Sequence, residues 1–169
     1  MIIPGWINVD IRYLPGVNVV DNAKYLRQFK DRKVSHIYAC HILEHFNRWE
    51  SPVIMKRWYD LLVPGGKFYV SVPDFEAIAE YYQETRTVKN LIGLLYGGQD
   101  YKENHHLNAW DFITLHELME KTGYICIRRY DWKTEKPFMD FDDYSKCYIP
   151  HKDFEKGKLM SLNVKGEKI

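Results

Sequence analysis

Apolar and polar positions along the chain follow two periods, and the switches between them mark out its elements. Residues 6–11 put Ile7, Val9 and Ile11 on one face, which predicts a short strand ending near Asp10. The runs VNVVD (17–21) and VSHIYAC (34–40) read as two more strands, each closed by polar residues. After Asn47 the period becomes helical. Ser51 is placed to cap, Pro52 takes the first helical position, and Ile54, Trp58, Leu61 and Leu62 share a face. VPGGK (63–67) is expected to stop that helix, because Pro64 cannot continue it and Gly65 can adopt the left-handed terminal conformation. KFYVSVPD (67–74) is the next strand.

Residues 74–96 read as one helix with Ile78, Tyr81, Tyr82, Leu91, Leu94 and Leu95 as its apolar positions. A polar, glycine-containing loop follows over 96–111. Thr114 and Glu117 are spaced as a capping box for a helix through Lys121, closed by Gly123. YICIRRYDW (124–132) and LMSLNV (159–164) complete the set as strands. Strands separated by amphipathic helices predict an α/β, Rossmann-like domain over residues 1–169, with a mostly parallel sheet flanked by helices and an inserted region at about 74–112.

Composition narrows the function classes. With 24 Lys plus Arg against 23 Asp plus Glu, there is no electrostatic footprint for nucleic acid or an anionic membrane. No apolar run has spanning length, and the N-terminal segment lacks a signal-peptide layout. Three scattered cysteines, Cys40, Cys126 and Cys147, make neither a disulfide framework nor a thiolate metal knot. The expectation is a cytoplasmic protein. Thirteen Tyr and five Trp leave room for a ring-lined pocket or simply a ring-rich core.

The chemistry concentrates in HILEH, residues 41–45. His41-x-x-Glu44-His45 has the spacing of inverted zinc peptidases. That chemistry needs both imidazoles on one continuous helix, a third ligand and an open position. Here a strand runs up to Cys40, so His41 falls at a strand end, and no metal is expected. Side chains at such a junction point to the carboxyl edge of a parallel sheet, where open α/β folds bind ligands. Zinc binding through His41 and His45, plain packing with polar caps, and a cofactor-edge role all remain open at this point.

From residue 5 to residue 82 the chain resembles the class I S-adenosylmethionine-dependent methyltransferases, specifically the methyltransferase type 11-like group. The resemblance rests on PGWINVDI, VVDNAKYL, VSHIYACHILEHF and WYDLLVPGGKFYVSVPDF, in that order and spacing. LLYGGQDYKENHH, TLHELMEKTGY and SLNV are similar to the group's inserted loop, penultimate helix and last strand. The resemblance implies S-adenosylmethionine as cofactor and a small-molecule or glycan acceptor. It places Asp10, with Ile11 beside it, at the ribose hydroxyls, Asp21, Asn22 and Ala23 at the adenine, and Cys40 and His41 along the methionine side. A carboxylate accepting two hydroxyl hydrogen bonds suits the first of these roles, at about 1.5–3 kcal/mol each.

The family's first strand and glycine-rich loop would precede PGWINVDI. Only Met1, Ile2 and Ile3 stand there, and no G-x-G occurs anywhere in the sequence. That strand is the family's central one, so the resemblance is to an N-terminally truncated methyltransferase fold: its neighbours are expected to close on each other or to be bridged by a second copy or partner, or else the start is truncated and the pocket damaged. A homo-oligomer is a natural consequence. The candidate bases for methyl transfer are His41, His45, His105 and His106, with His106 first because it lies in the substrate-side insertion. Tyr96, Tyr101 and Trp110 are candidate stacking platforms. A non-catalytic, partner-binding descendant of the fold is the competing reading. The enzyme reading requires Asp10 and His41 to face one shared cleft.

Overall fold

The computed structural model describes residues 5–136 and 138–169. Strand β1 (Val9–Asp10) pairs in parallel with β2 (Val19–Val20). Strand β3 (Val34–Cys40) matches the apolar run read from the sequence, and helix α1 (Ser51–Leu61) follows. Ser51 lies inside α1 rather than capping it, with its Oγ donating to the Asn47 carbonyl at 3.0 Å. The cap comes one turn earlier, from Asn47, whose Oδ1 accepts the N–H groups of Trp49 and Glu50.

Strand β4 (Leu62–Pro73) starts directly at the end of α1. The PGG segment is therefore part of an irregular strand rather than a loop. The β3 register jumps from Val34↔Leu62 to His36↔Lys67, and Gly65 takes φ +72° inside that bulge. The expected helix over 74–96 is broken in two: α2 (Phe75–Thr85) and α3 (Ile92–Tyr96). Arg86 ends α2 in the left-handed conformation at φ +54°, and the polar RTVKN run gives the chain no apolar face on which to continue. Helix α4 (Phe112–Thr122) closes on Gly123 at φ +113°, as its sequence predicts. Its capping box is Asp111 with Thr114, three residues before the expected pair, because Asp111 Oδ1 accepts the Thr114 N–H at 2.8 Å.

Strand β5 (Tyr124–Arg129), a two-stranded ribbon of β6 (Tyr148–Ile149) and β7 (Lys158–Leu159), and the last strand β8 (Ser161–Lys168) complete the chain. The main sheet has the order β3-β4-β8-β5. Strands β3, β4 and β5 run one way, and β8 lies antiparallel between β4 and β5. The fold is thus α/β with a central sheet flanked by helices.

Both faces of the sheet are covered, for reasons visible in the period-two pattern. Phe68, Val70 and Val72 of β4 and Leu162 and Val164 of β8 face α1 and α4, where Trp58, Leu115 and Met119 complete a dry core. Tyr69 faces the other way into an aromatic cluster with Tyr130, Phe138 and Phe141. Its hydroxyl donates to Glu135 at 3.1 Å, and burial with this acidic neighbour pushes its pKa up to about 12.

Strands β1 and β3 form no ladder with each other among the described residues. The two strands therefore do not close on each other as expected. Trp6 packs edge-on against His36 at 6.2 Å and against Phe138 and Phe141, while Val9, Val19 and Ala23 rest on the main core. Side chains hold the two sheets together, with no backbone hydrogen bonds shared between them among the described residues.

The corrected cap gives a direct test. Asp111→Ala should lower unfolding stability by about 1 kcal/mol. Glu117→Ala removes only an exposed pair with Lys121 and should cost under about 0.5 kcal/mol. Urea titration of both variants checks the difference, and equal losses would contradict the assignment.

Candidate functional site

The site begins where β3 stops. Cys40 is its last residue, and His41 then turns out of the sheet at φ +48° while its N–H still donates to the Ser71 carbonyl of β4. A non-glycine residue held in this region costs energy and needs surrounding support. The next residues, Leu43–His45, make a single 3-10 turn. The two histidines of HILEH thus sit on a strand end and a short turn. This is not the continuous helix that metallopeptidase chemistry requires.

That turn drives Glu44 inward, leaving it 1% exposed. Its backbone carbonyl accepts the N–H groups of Leu107 (2.8 Å) and Asn108 (3.2 Å), which fastens the loop after α3 onto the end of β3. Neither oxygen of its carboxylate accepts a hydrogen bond. The nearest polar atoms are imidazole nitrogens: His41 Nδ1 at 3.3 Å and His106 Nε2 at 3.9 Å, both to Oε1. His45 stands edge-on to His106, with ring centroids 4.8 Å apart.

The hydrogen bonds assign the tautomers. His106 Nδ1 lies 2.8 Å from the Leu94 carbonyl and His45 Nδ1 lies 3.1 Å from the His105 carbonyl. A carbonyl only accepts, so both rings carry a proton on Nδ1. His41 is the reverse. Ser161 Oγ donates to the Tyr144 carbonyl at 2.5 Å, so His41 Nε2, 2.8 Å from that oxygen, is the donor. Burial lowers the His106 pKa, with the Glu44 charge opposing, so the ring stays neutral at ordinary pH.

Of the residues expected at the site, the structure brings His41, His45 and His106 together around Glu44. His105 is exposed and contributes only its carbonyl. Burial, with the Asp143 charge adding to it, pushes the Cys40 thiol well up, so it is no nucleophile. Trp110 belongs to the main core, 6% exposed, and is not a stacking platform.

Asp10 and the adenine-side residues form a separate group at the ends of β1 and β2. Asp10 Oδ1 accepts from the Arg12 N–H at 2.8 Å and from its Nε at 3.3 Å. Ile11, beside it, is exposed. Asp21 accepts the N–H groups of Asn22 and Gln28, and Asn22 Oδ1 accepts that of Lys24. The Ala23 carbonyl accepts from Trp58 Nε1. A contact chain links this group to the histidines. The Arg12 guanidinium lies over the Tyr101 ring at 4.3 Å, and Tyr101 belongs to the loop that Glu44 fastens.

Two clefts are described, of about 230 and 250 Å³ including space open to solvent. Neither is lined by Asp10 or His41, so the expected shared hollow is not among them. The second, lined by Pro73, Phe75, Ile78, Leu94, Leu95, Asn108 and Ala109, abuts the histidine cluster, because Leu94 holds His106 and Asn108 binds Glu44.

Sequence reasoning gave Glu44 no role of its own, although it stands inside the motif. Ser161 and Tyr144, which set the His41 ring, lie more than 100 residues away and carry no local signal.

No protein-family model matches the chain, and no curated protein does. Among solved structures it is similar to a SAM-dependent methyltransferase from Archaeoglobus fulgidus, with 14% identity, TM-score 0.57, and coverage of 96% of this chain and 75% of that one. It is also similar to an O-methyltransferase family protein from Burkholderia thailandensis, with 9% identity, TM-score 0.51 and 88% of this chain covered. The chain spans about a third of that protein's length, 34%. At these identities the likeness shows the fold. It is methyltransferase-like.

The Arg12–Tyr101 contact is the clasp between the two halves of the site. Tyr101→Ala removes a cation–π contact worth about 0.5–1 kcal/mol. The amides of Gln99, Asn104 and His106 should then exchange with deuterium several-fold faster, while those of β4 stay unchanged. Unaltered loop exchange would show that the clasp holds nothing.

Proposed function

We propose that this protein transfers a methyl group from S-adenosylmethionine to a small-molecule or glycan acceptor. One observation carries the reading. In a methyltransferase-like fold, β1 of the small sheet ends in a half-buried carboxylate and β3 of the main sheet ends in an imidazole cluster, and one loop reaches both. Asp10 Oδ2 has no partner among the described residues, so the carboxylate can still accept from a ribose diol. The turn after β2 offers Asp21 and Asn22 as further acceptors for an exocyclic amine.

The cofactor supplies an electrophilic methyl on a sulfonium. The chain's part is to position the acceptor and receive its proton. Acceptor oxygen or nitrogen bonds to the methyl carbon as the carbon–sulfur bond breaks, and the acceptor proton passes to a lone-pair nitrogen. His106 Nε2 fits that last role. It is neutral, shielded from water, and held by a backbone carbonyl on its far side. His45 Nε2 is the alternate acceptor, and His41 is oriented by Ser161 to face Glu44.

Two observations favour the competing reading of a non-catalytic, partner-binding module. Arg12 already occupies Asp10 Oδ1, and neither described cleft is lined by Asp10 or His41, so neither is the shared hollow that the enzyme reading requires.

Calorimetric titration with S-adenosylmethionine separates the readings. Wild type should bind, Asp10→Ala should lose at least tenfold in affinity, and Arg12→Ala should bind no worse. His106→Ala should bind the cofactor normally. Absence of heat and of any thermal shift at millimolar cofactor favours the binding module.

A further inference from the structure

We infer that Glu44, His45 and His106 form a binding site for one divalent transition cation of the zinc type. One carboxylate oxygen and one nitrogen from each imidazole lie within 4.8 Å of one another. In a tetrahedral zinc site with bonds of about 2.0–2.2 Å, such atoms sit about 3.3 Å apart. Side-chain rotations of an ångström or so close the difference.

The hydrogen bonding makes this more than proximity. His45 and His106 each donate Nδ1–H to a backbone carbonyl. That outer contact is the one that orients metal-binding imidazoles and enriches the free nitrogen. Both rings therefore leave Nε2 as the nitrogen available to a ligand. His106 Nε2 lies 3.9 Å from a carboxylate oxygen, too far for a hydrogen bond between them. The carboxylate is 1% exposed, and neither oxygen has a hydrogen-bond partner.

A buried carboxylate without a hydrogen-bond partner is costly as it stands. A divalent cation at the centre of the cluster would give that carboxylate a partner. Two nitrogens and one oxygen suit zinc, cobalt or a similar ion better than magnesium or calcium, which prefer oxygen ligands throughout. Three protein ligands leave a coordination position open. His41, 3.3 Å from Oε1 and pinned by Ser161, is a positioning residue for the carboxylate.

The site rests on geometry alone and does not depend on the methyl-transfer reading. Where both hold, the lone pair assigned above to the acceptor's proton becomes a ligand. A hydroxyl at the open position is then acidified by the cation.

The test uses the full chain, stripped by chelator and dialysed, with Zn²⁺ alone as probe and no methyl donor. Calorimetry should give one equivalent of saturable binding. At a hundredfold excess over Kd the unfolding midpoint should rise by about 5–10 °C. Glu44→Gln and His106→Ala should each weaken binding at least tenfold, while His105→Ala, in the exposed neighbour, should leave it unchanged. Substituted Co²⁺ should show tetrahedral bands without thiolate charge-transfer absorption, which excludes capture by Cys40, Cys126 or Cys147. Should His106→Ala fail to fold, Glu44→Gln still decides. Without cation it should be at least as stable as wild type, and with Zn²⁺ wild type should overtake it. No saturable binding by wild type, or unchanged affinity in Glu44→Gln, overturns the inference.

Discussion

The carboxylate of Glu44 is the constraint around which the functional end of this molecule is arranged. A side chain 1% exposed and without a hydrogen bond is expensive, because a charge taken out of water needs compensation nearby. Among the described residues the groups gathered round it are three imidazoles, from the end of β3, from the turn after it, and from the loop after α3, and none of them hydrogen-bonds it. The same residue's carbonyl ties that loop down through Leu107 and Asn108. Backbone and side chain of one residue thus determine both where the loop lies and which atoms it presents.

The rest of the fold serves this junction. Strand β4 is hydrogen-bonded to β3 and β8, and it fixes the level at which β3 ends. The His41 N–H makes the last bond of that ladder to Ser71 before the chain turns left-handed. Strand β8 supplies Ser161, which orients the His41 ring from the far side. Burial on both faces of the sheet makes that level hard to shift, since a slip of one residue would exchange Tyr69 and Val70 between an aromatic cluster and a dry aliphatic core. The weaker part is the β1–β2 pair, which is packed on by side chains and clasped through Arg12 and Tyr101. The placement of Asp10 relative to the histidines consequently depends on a contact worth far less than the sheet.

Local periodicity made much of this legible. The bounds of β3, the buried face of α1 and the glycine stop of α4 follow from spacing and residue type alone. Capping was less legible, because Asn47 competes with Ser51 and Asp111 with Thr114, and short polar residues at neighbouring positions offer equivalent caps. The break at Arg86 was hidden because apolar residues recur on either side of it at helical intervals. At the candidate site, HILEH marks the segment round which His41, His45 and His106 gather. What it could not convey was that Glu44 is the buried member, since burial depends on the loop that docks over it. Ser161 and the Leu94 carbonyl act only through tertiary contact. The absence of G-x-G was plain in the sequence. Its structural counterpart, two sheets held together by Trp6 and its neighbours, was not.

The most direct measurement of the central claim is the ¹⁵N spectrum of the imidazole rings in cation-free protein at neutral pH. The account predicts a proton on Nδ1 of His45 and of His106, a lone pair on Nε2 of His106, and a proton on Nε2 of His41. Protonation of His45 and His106 on Nε2, or rapid averaging of both rings between tautomers, would contradict it.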